Sequence, residues 1–273
     1  MRVVGLLENT TLDESFESKH GLCLYIETPN HHILFDVGPD ATFIENAKAL
    51  NIKIEAVDTV IISHGHNDHG GGLEALFEVN KQAKVYIQES AFEPYFLNIL
   101  GFKKNIGLDV RLKYHPQVKL LKGNTRIDEE LFLFTDPKLS RYLPEGNKKL
   151  LSKAKKGYTQ DTFTHEQNLI LSLGEQHILV AGCAHRGIIN IIGEAEKQIQ
   201  DALDDVIGGF HFINPTSFKG MPTEQIEAVG KVLKETGYQY YTCHCTGETG
   251  YEILRQVMRE QIGYIHTGTD LIL

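Results

Sequence analysis

The chain has 273 residues of ordinary globular composition, 41% hydrophobic and 23% charged, with a formal net charge of −9. That acidic balance argues against a general nucleic-acid binder and against attachment to anionic membranes, leaving at most a local basic patch for one phosphate. No apolar run approaches membrane-spanning length, and the four cysteines, Cys23, Cys183, Cys243 and Cys245, follow no disulfide framework. Glu8 interrupts the apolar run of residues 2–7, so that run is no signal peptide. A soluble, reduced, cytoplasmic protein is expected, and nothing in the sequence sets its oligomeric state.

In chain order, residues 2–7 read as a strand, and residues 22–27 and 32–36 as a hairpin turning at Pro29-Asn30. Residues 41–50 read as a short helix. The β-branched run 56–62 reads as a buried strand, and residues 73–77 open a helix after the glycines Gly70, Gly71 and Gly72. Residues 84–87 are a further strand. Between 89 and 115 the pattern blurs, with helix-like pieces around Tyr95, Phe96 and Leu97, before strands resume at 118–121 and 130–134. Residues 136–161 carry Pro, Gly and Lys149, Lys153, Lys155 and Lys156; they read as a solvated connector, or as a flap whose lysines meet an anionic substrate. A second hairpin follows at 168–173 and 177–182. Ile188, Ile192, Ala195, Ile199 and Leu203 form an amphipathic stripe. Ile226, Val229 and Leu233 do the same, as do Ile253, Leu254, Val257 and Met258. The fold class is α/β (α+β), as one domain over 1–273 with two β-rich halves joined near 137–164 and helices outside.

The segment Ser63-His64-Gly65-His66-Asn67-Asp68-His69-Gly70 concentrates the chemistry. Residues two apart on extended chain point the same way, so His64 and His66 can grip one metal ion. Once the chain turns at Asn67, Asp68 and His69 face a second position. Glycines beyond them permit close backbone approach. The second half must supply partners. In Gly182-Cys183-Ala184-His185-Arg186-Gly187, Cys183 and His185 are two apart at a strand end. Cys183 is either a thiolate ligand or a small buried residue. In Thr242-Cys243-His244-Cys245-Thr246, strand alternation makes His244 the ligand and turns Cys243 and Cys245 away as packing. Thr246 begins a helix whose first amides suit a phosphate or carboxylate. His211 ends another strand as a ligand, a catalytic acid or oxyanion donor, or a structural histidine. His165 is a minor alternative ligand, while His20, His31, His32, His115, His177 and His266 read as structural.

His-x-His-x-Asp-His after an apolar strand resembles the signature of the metallo-β-lactamase fold superfamily. The resemblance implies a four-layer αββα sandwich of the metallo-β-lactamase type with a one- or two-metal site along one edge. It makes Asp36, in Asp36-Val37-Gly38, the residue beneath the metals that orients a ligand histidine, where the plain reading is a turn cap. Cys183 falls where many members carry a bridging Asp or a Cys ligand. The segments around His185, His211 and His244, with Thr267-Gly268-Thr269, resemble the branch named for 7,8-dihydropterin-6-methyl-4-(β-D-ribofuranosyl)-aminobenzene-5′-phosphate synthase. Two divalent metal ions are implied, zinc before iron or manganese. They would lower the pKa of a bound water towards about 7, with Asp68 handling the proton. The expected function is hydrolysis of a small anionic, phosphate-containing molecule, with Arg186, Lys219 and the 153–156 lysines as candidate anion contacts. A synthase-type condensation and a non-catalytic metal- or ligand-binding protein are the alternatives.

Overall fold

The β-branched and aromatic runs fold into sheets whose alternate residues are buried. The computed structural model describes residues 1–139, 141–216 and 220–273. The chain divides into two units, one of residues 1–95, 106–122 and 265–273, the other of residues 96–105 and 123–264. The expected junction near 137–164 therefore falls inside the second unit, and the main division lies at Lys122 and Gly123.

In the first unit the strands run in the order Asp270–Ile272, Arg2–Leu7, Cys23–Glu27, His32–Phe35, Thr59–Ile61, Lys84–Gln88 and Val118–Leu121. The first three pairings are antiparallel, but from His32–Phe35 onward all are parallel, with Phe35 beside Ile61. Parallel strands bring their carboxyl ends to one edge, which is where a ligand-binding crevice forms in such sheets. Asp36 and the 63–69 loop meet at that edge for this reason. The helices Thr42–Ala49 and Leu73–Val79 cover one face, setting Phe43, Ala47, Leu73 and Leu76 against Leu6, Leu34, Val60 and Val85. Each such side chain contributes about 1.5–3 kcal/mol on burial.

In the second unit the order is Ile262–Tyr264, Gln239–Thr242, Asp205–Gly208, Gln176–Val180, Gln167–Leu173, Leu131–Thr135 and Thr125–Arg126. The four strands from Gln176–Val180 to Ile262–Tyr264 are parallel, pairing Val180 with Ile207 and Gly208 with Thr242. Residues 181–186, 209–211 and 243–246 thus leave neighbouring carboxyl ends. The helices Ile188–Ile199, Thr223–Thr236 and Gly247–Met258 bury Ile191, Ala195, Ile226, Leu233 and Leu254 against Ile170, Leu179, Val206 and Tyr240. Leu203 lies beyond the first of these helices, which ends where Gln200 turns left-handed at φ 58°.

A third sheet corrects the reading of two blurred segments. Tyr95–Ile99 and Phe102–Asn105 form a hairpin, not helix, turning through Leu100 and Gly101 with φ 50° and 96°. A short apolar run does not distinguish the two by periodicity, and the paired left-handed turn decides for strand. Leu150–Lys153 and Tyr158–Gln160 add the remaining strands, so the lysine-rich connector is partly a hairpin. Among the described residues no helix is long and apolar enough to cross a membrane.

Candidate metal centre

In the first unit one buried carboxylate organises the donor loop. Asp36 has a left-handed backbone, φ 61°, and its N–H donates to the Ile61 carbonyl at 2.8 Å. Its Oδ1 accepts the Ser63 N–H at 2.7 Å; its Oδ2 accepts the Ser63 hydroxyl at 2.7 Å and lies 2.6 Å from His69 Nδ1. An ionised carboxylate holds the proton on Nδ1, so the Nε2 lone pair of His69 is kept for a cation. His64 Nδ1 sits 2.9 Å from the Ser63 hydroxyl, and its Nε2 faces His66 Nδ1 at 3.0 Å. Two nitrogens at about 2.05 Å from a tetrahedral cation stand roughly 3.3 Å apart, close to that spacing. His64, His66 and His69 are all buried, with the His64 and His69 rings 4.1 Å apart. Asp68 stands on the turn Asn67–Gly70, its carboxylate partly exposed and 3.3 Å from His20 Nε2. Gly72 has no room for a Cβ, which would strike the Val37 carbonyl.

The second unit repeats the device with different residues. Glu166 is fully buried; its Oε1 accepts the His185 N–H at 2.6 Å and its Oε2 the Arg186 N–H at 3.0 Å. Burial pushes this carboxyl up, against the two N–H groups that favour its charge. Asn147 fixes the ring: its Oδ1 lies 3.0 Å from His185 Nδ1, and its amide donates to the His185 carbonyl at 2.6 Å. Phe163 stacks on the same imidazole at 4.3 Å. His185 accordingly presents Nε2. Cys183 Sγ is the hub, lying within 4.8 Å of donor atoms of His185, of His244 and of the pair His211 and Cys245. His165, held by sequence as the minor alternative, is buried and 3.0 Å from Asp161 Oδ2.

Cys245 departs from the expectation of packing away from the donors. Alternation presumes extended chain, but the strand ends at Thr242 and His244–Thr246 is a 3-10 turn with His244 at φ 50°. Burial pushes the Cys245 thiol up, yet the adjacent Cys183 thiol, His211 and the charge of His244 and His211 outweigh it and hold it well below the ordinary thiol value. Cys243 is fully buried and belongs to none of these donor groups. His211 lies beside His185, rings 4.2 Å apart.

Several of the groups offered for substrate have partners within the protein. Arg186 donates to the Thr162 carbonyl at 3.0 Å and pairs with Asp136 at 3.2 Å, pinning the connector. Thr246 Oγ1 accepts the Phe210 N–H at 2.8 Å and bonds Thr242 Oγ1 at 2.6 Å. Lys153 lies over the Tyr158 ring at 4.5 Å, and Lys219 falls outside the described residues. Asp161, Asn147 and Glu166 were not singled out by sequence. The only signal was the adjacency of Glu166 to His165.

A sequence model of the metallo-beta-lactamase superfamily matches residues 19–146. The 7,8-dihydropterin-6-methyl-4-(beta-D-ribofuranosyl)-aminobenzene-5′-phosphate synthase of Methanocaldococcus jannaschii is 29% identical over 282 residues, covering 93% of this chain and 90% of its own. An uncharacterized protein of the same organism is 28% identical over 269 residues, covering 96% of this chain and 98% of its own. The crystal structure of a metal-dependent hydrolase of the beta-lactamase superfamily superposes with a TM-score of 0.83 at 27% identity, over 100% of this chain and 99% of that one.

Proposed function

We propose that the chain is a metal-dependent hydrolase of a small, anionic, phosphate-containing molecule, on the match of residues 19–146 to the metallo-beta-lactamase superfamily and the likeness of the whole chain to a metal-dependent hydrolase structure. His64, His66, Asp68 and His69 would hold divalent cations together with Cys183, His185 and His244, zinc before iron or manganese. The observation that carries this reading is the fully buried pair of Asp36 and His69, 2.6 Å apart, in a loop of imidazoles. Metal-ligating histidines almost always donate their other ring N–H to such a partner.

Bound cations would acidify a water and polarise the substrate oxygen. The chain's own residues do the rest. Asp36 and Asn147 hold Nδ1 protons so that the Nε2 lone pairs of His69 and His185 face outward. Ser63 keeps His64 in the matching state. Asp68, partly exposed, suits a group that takes up the proton and releases it to solvent. A second reading, a condensation that expels a phosphate-type leaving group, is favoured by the 29% identity to the synthase over nearly the whole chain.

Elemental analysis of protein purified without added metal tests the site: about two cations per chain in the parent and a marked loss in His66→Ala. An unchanged metal count in the variant refutes the assignment. A panel of phosphodiesters, lactones and thioesters, run beside a pterin condensation assay, separates the reactions. Turnover only in the condensation removes the hydrolase reading.

A further inference from the structure

At the carboxyl edge of the second sheet one imidazole lacks what its burial requires. His211 is 6% exposed, and neither ring nitrogen has a hydrogen-bond partner among the described residues. A buried polar group left so is costly unless something fills its valence. Its backbone is also held in the left-handed region, φ 51°, which a non-glycine residue adopts only when its surroundings impose it. Those surroundings are specific. The His211 N–H donates to Cys245 Sγ at 3.2 Å, and the preceding Phe210 N–H donates to Thr246 Oγ1 at 2.8 Å. The turn that carries Cys245 therefore fixes the place of His211.

The sulfur is fixed in turn. Cys245 Sγ lies 3.5 Å from the Cys183 carbonyl oxygen, and Gly209 passes so close that a Cβ there would strike the sulfur. Donor atoms of Cys183, His211 and Cys245 all lie within 4.8 Å of one another. Three strand ends, after Val180, Gly208 and Thr242, thus deliver one sulfur, one imidazole and a second sulfur to a common point.

We propose that Cys183, His211 and Cys245 form a thiolate-rich subsite for a thiophilic divalent cation, with Cys183 shared with the metal centre described above. The proposal rests on that centre only for this sharing; the trio lies wholly within the second unit. Three protein ligands leave a fourth position of a tetrahedral cation open for solvent or substrate. Two sulfurs and one nitrogen select zinc over manganese or magnesium, which prefer oxygen. The unfilled valence of His211 is then accounted for by a cation, and the packing role assigned to Cys245 by sequence is replaced by a ligand role.

Cobalt(II) added to chelator-stripped, reduced protein supplies the probe, because each cobalt–thiolate bond adds charge-transfer absorption in the near ultraviolet. The parent is expected to show the intensity of two thiolates. Cys245→Ser and Cys245→Ala should each lose about half of it, in proportion to the sulfurs removed. Cys243→Ala, a buried cysteine outside the trio, should keep the full band. A parent band of one thiolate, or none, overturns the proposal whatever the variants do, as does a full band in folded Cys245→Ser. A disulfide between Cys183 and Cys245 in the freshly isolated, cation-free protein, seen by mass spectrometry, overturns it in favour of a redox pair. The His66→Ala metal count is an independent measure: metal loss there, together with a full sulfur band in folded Cys245→Ser, leaves the hydrolase reading standing and removes this one.

Discussion

Asp36→Asn separates the charge of the first clamp from its shape. The carboxylate holds the Ser63 N–H, the Ser63 hydroxyl and His69 Nδ1 at 2.7, 2.7 and 2.6 Å. An amide of the same outline has one acceptor oxygen. If that oxygen keeps the Ser63 N–H, the NH2 group faces the hydroxyl and His69 Nδ1. His69 must then accept at Nδ1 and carry its proton on Nε2, the nitrogen meant for the cation. Loss of such an outer partner costs about 10–100-fold in metal affinity, which is roughly 1.4–2.7 kcal/mol. Zinc titration against a chromogenic chelator should show a Kd raised by that factor, and long-range nitrogen–proton NMR should show His69 switched from Nδ1–H to Nε2–H. Asp36→Ala, which strands buried donors, should add a stability loss of about 1–3 kcal/mol for each. Parent-like zinc affinity in Asp36→Asn, with His69 still protonated at Nδ1, refutes the reasoning.

Three further outcomes are expected. Asn147→Leu removes both bonds to His185 and should weaken zinc binding by about 10–100-fold; an unaltered chelator competition curve counts against Asn147 as the orienting residue. Glu166 has its folded pKa raised by burial above the ordinary value of 4.5, so the folded state binds more protons than the unfolded one, and stability falls as pH rises through that window. In cation-free protein, denaturant midpoints should show this fall for the parent and a flatter profile for Glu166→Gln, which mimics the protonated acid; parallel profiles would count against it. Chelation should lower the melting temperature while leaving the far-ultraviolet spectrum unchanged, since a ligand that binds only the folded state stabilises it by mass action.

What could be read from sequence follows from where each signal is stored. The 63–69 candidates are contiguous, and strand geometry together with the turn at Asn67 lets spacing alone bring them together. His185 and His244 each follow an apolar strand, and the parallel pairing of the second sheet sets those carboxyl ends on one edge. Asn147 and Asp161 carry no such signature: each is one polar residue in a connector, and its meaning comes from a partner 38 or 4 residues away. Cys245 was misplaced because alternation was extended three residues past the strand, which ends at Thr242. Gly247, two residues on with φ 69°, marks the turn. Arg186 and Thr246 have the right chemistry for an anion, but sequence does not record that the terminal nitrogens of Arg186 already meet backbone carbonyls and Asp136, or that the Thr246 hydroxyl is held by Phe210 and Thr242.

The loops that carry the donors share a backbone feature. Asp36, Ala184, His211 and His244 all have φ between 50° and 61°, each just past the carboxyl end of a strand or on the loop leaving it. Such conformations cost about 1–3 kcal/mol apiece and persist only where surrounding contacts impose them. In each unit a buried carboxylate supplies part of that imposition, Asp36 through Ser63 and Glu166 through His185 and Arg186, by bonding backbone N–H groups as well as side chains. A clamp on the backbone fixes the loop before any cation arrives. Cation binding then has less ordering entropy to overcome, as preorganised sites require. That is why chelation is expected to leave these loops ordered and the sheets that end in them folded, in contrast to small zinc domains whose folding is the binding event itself.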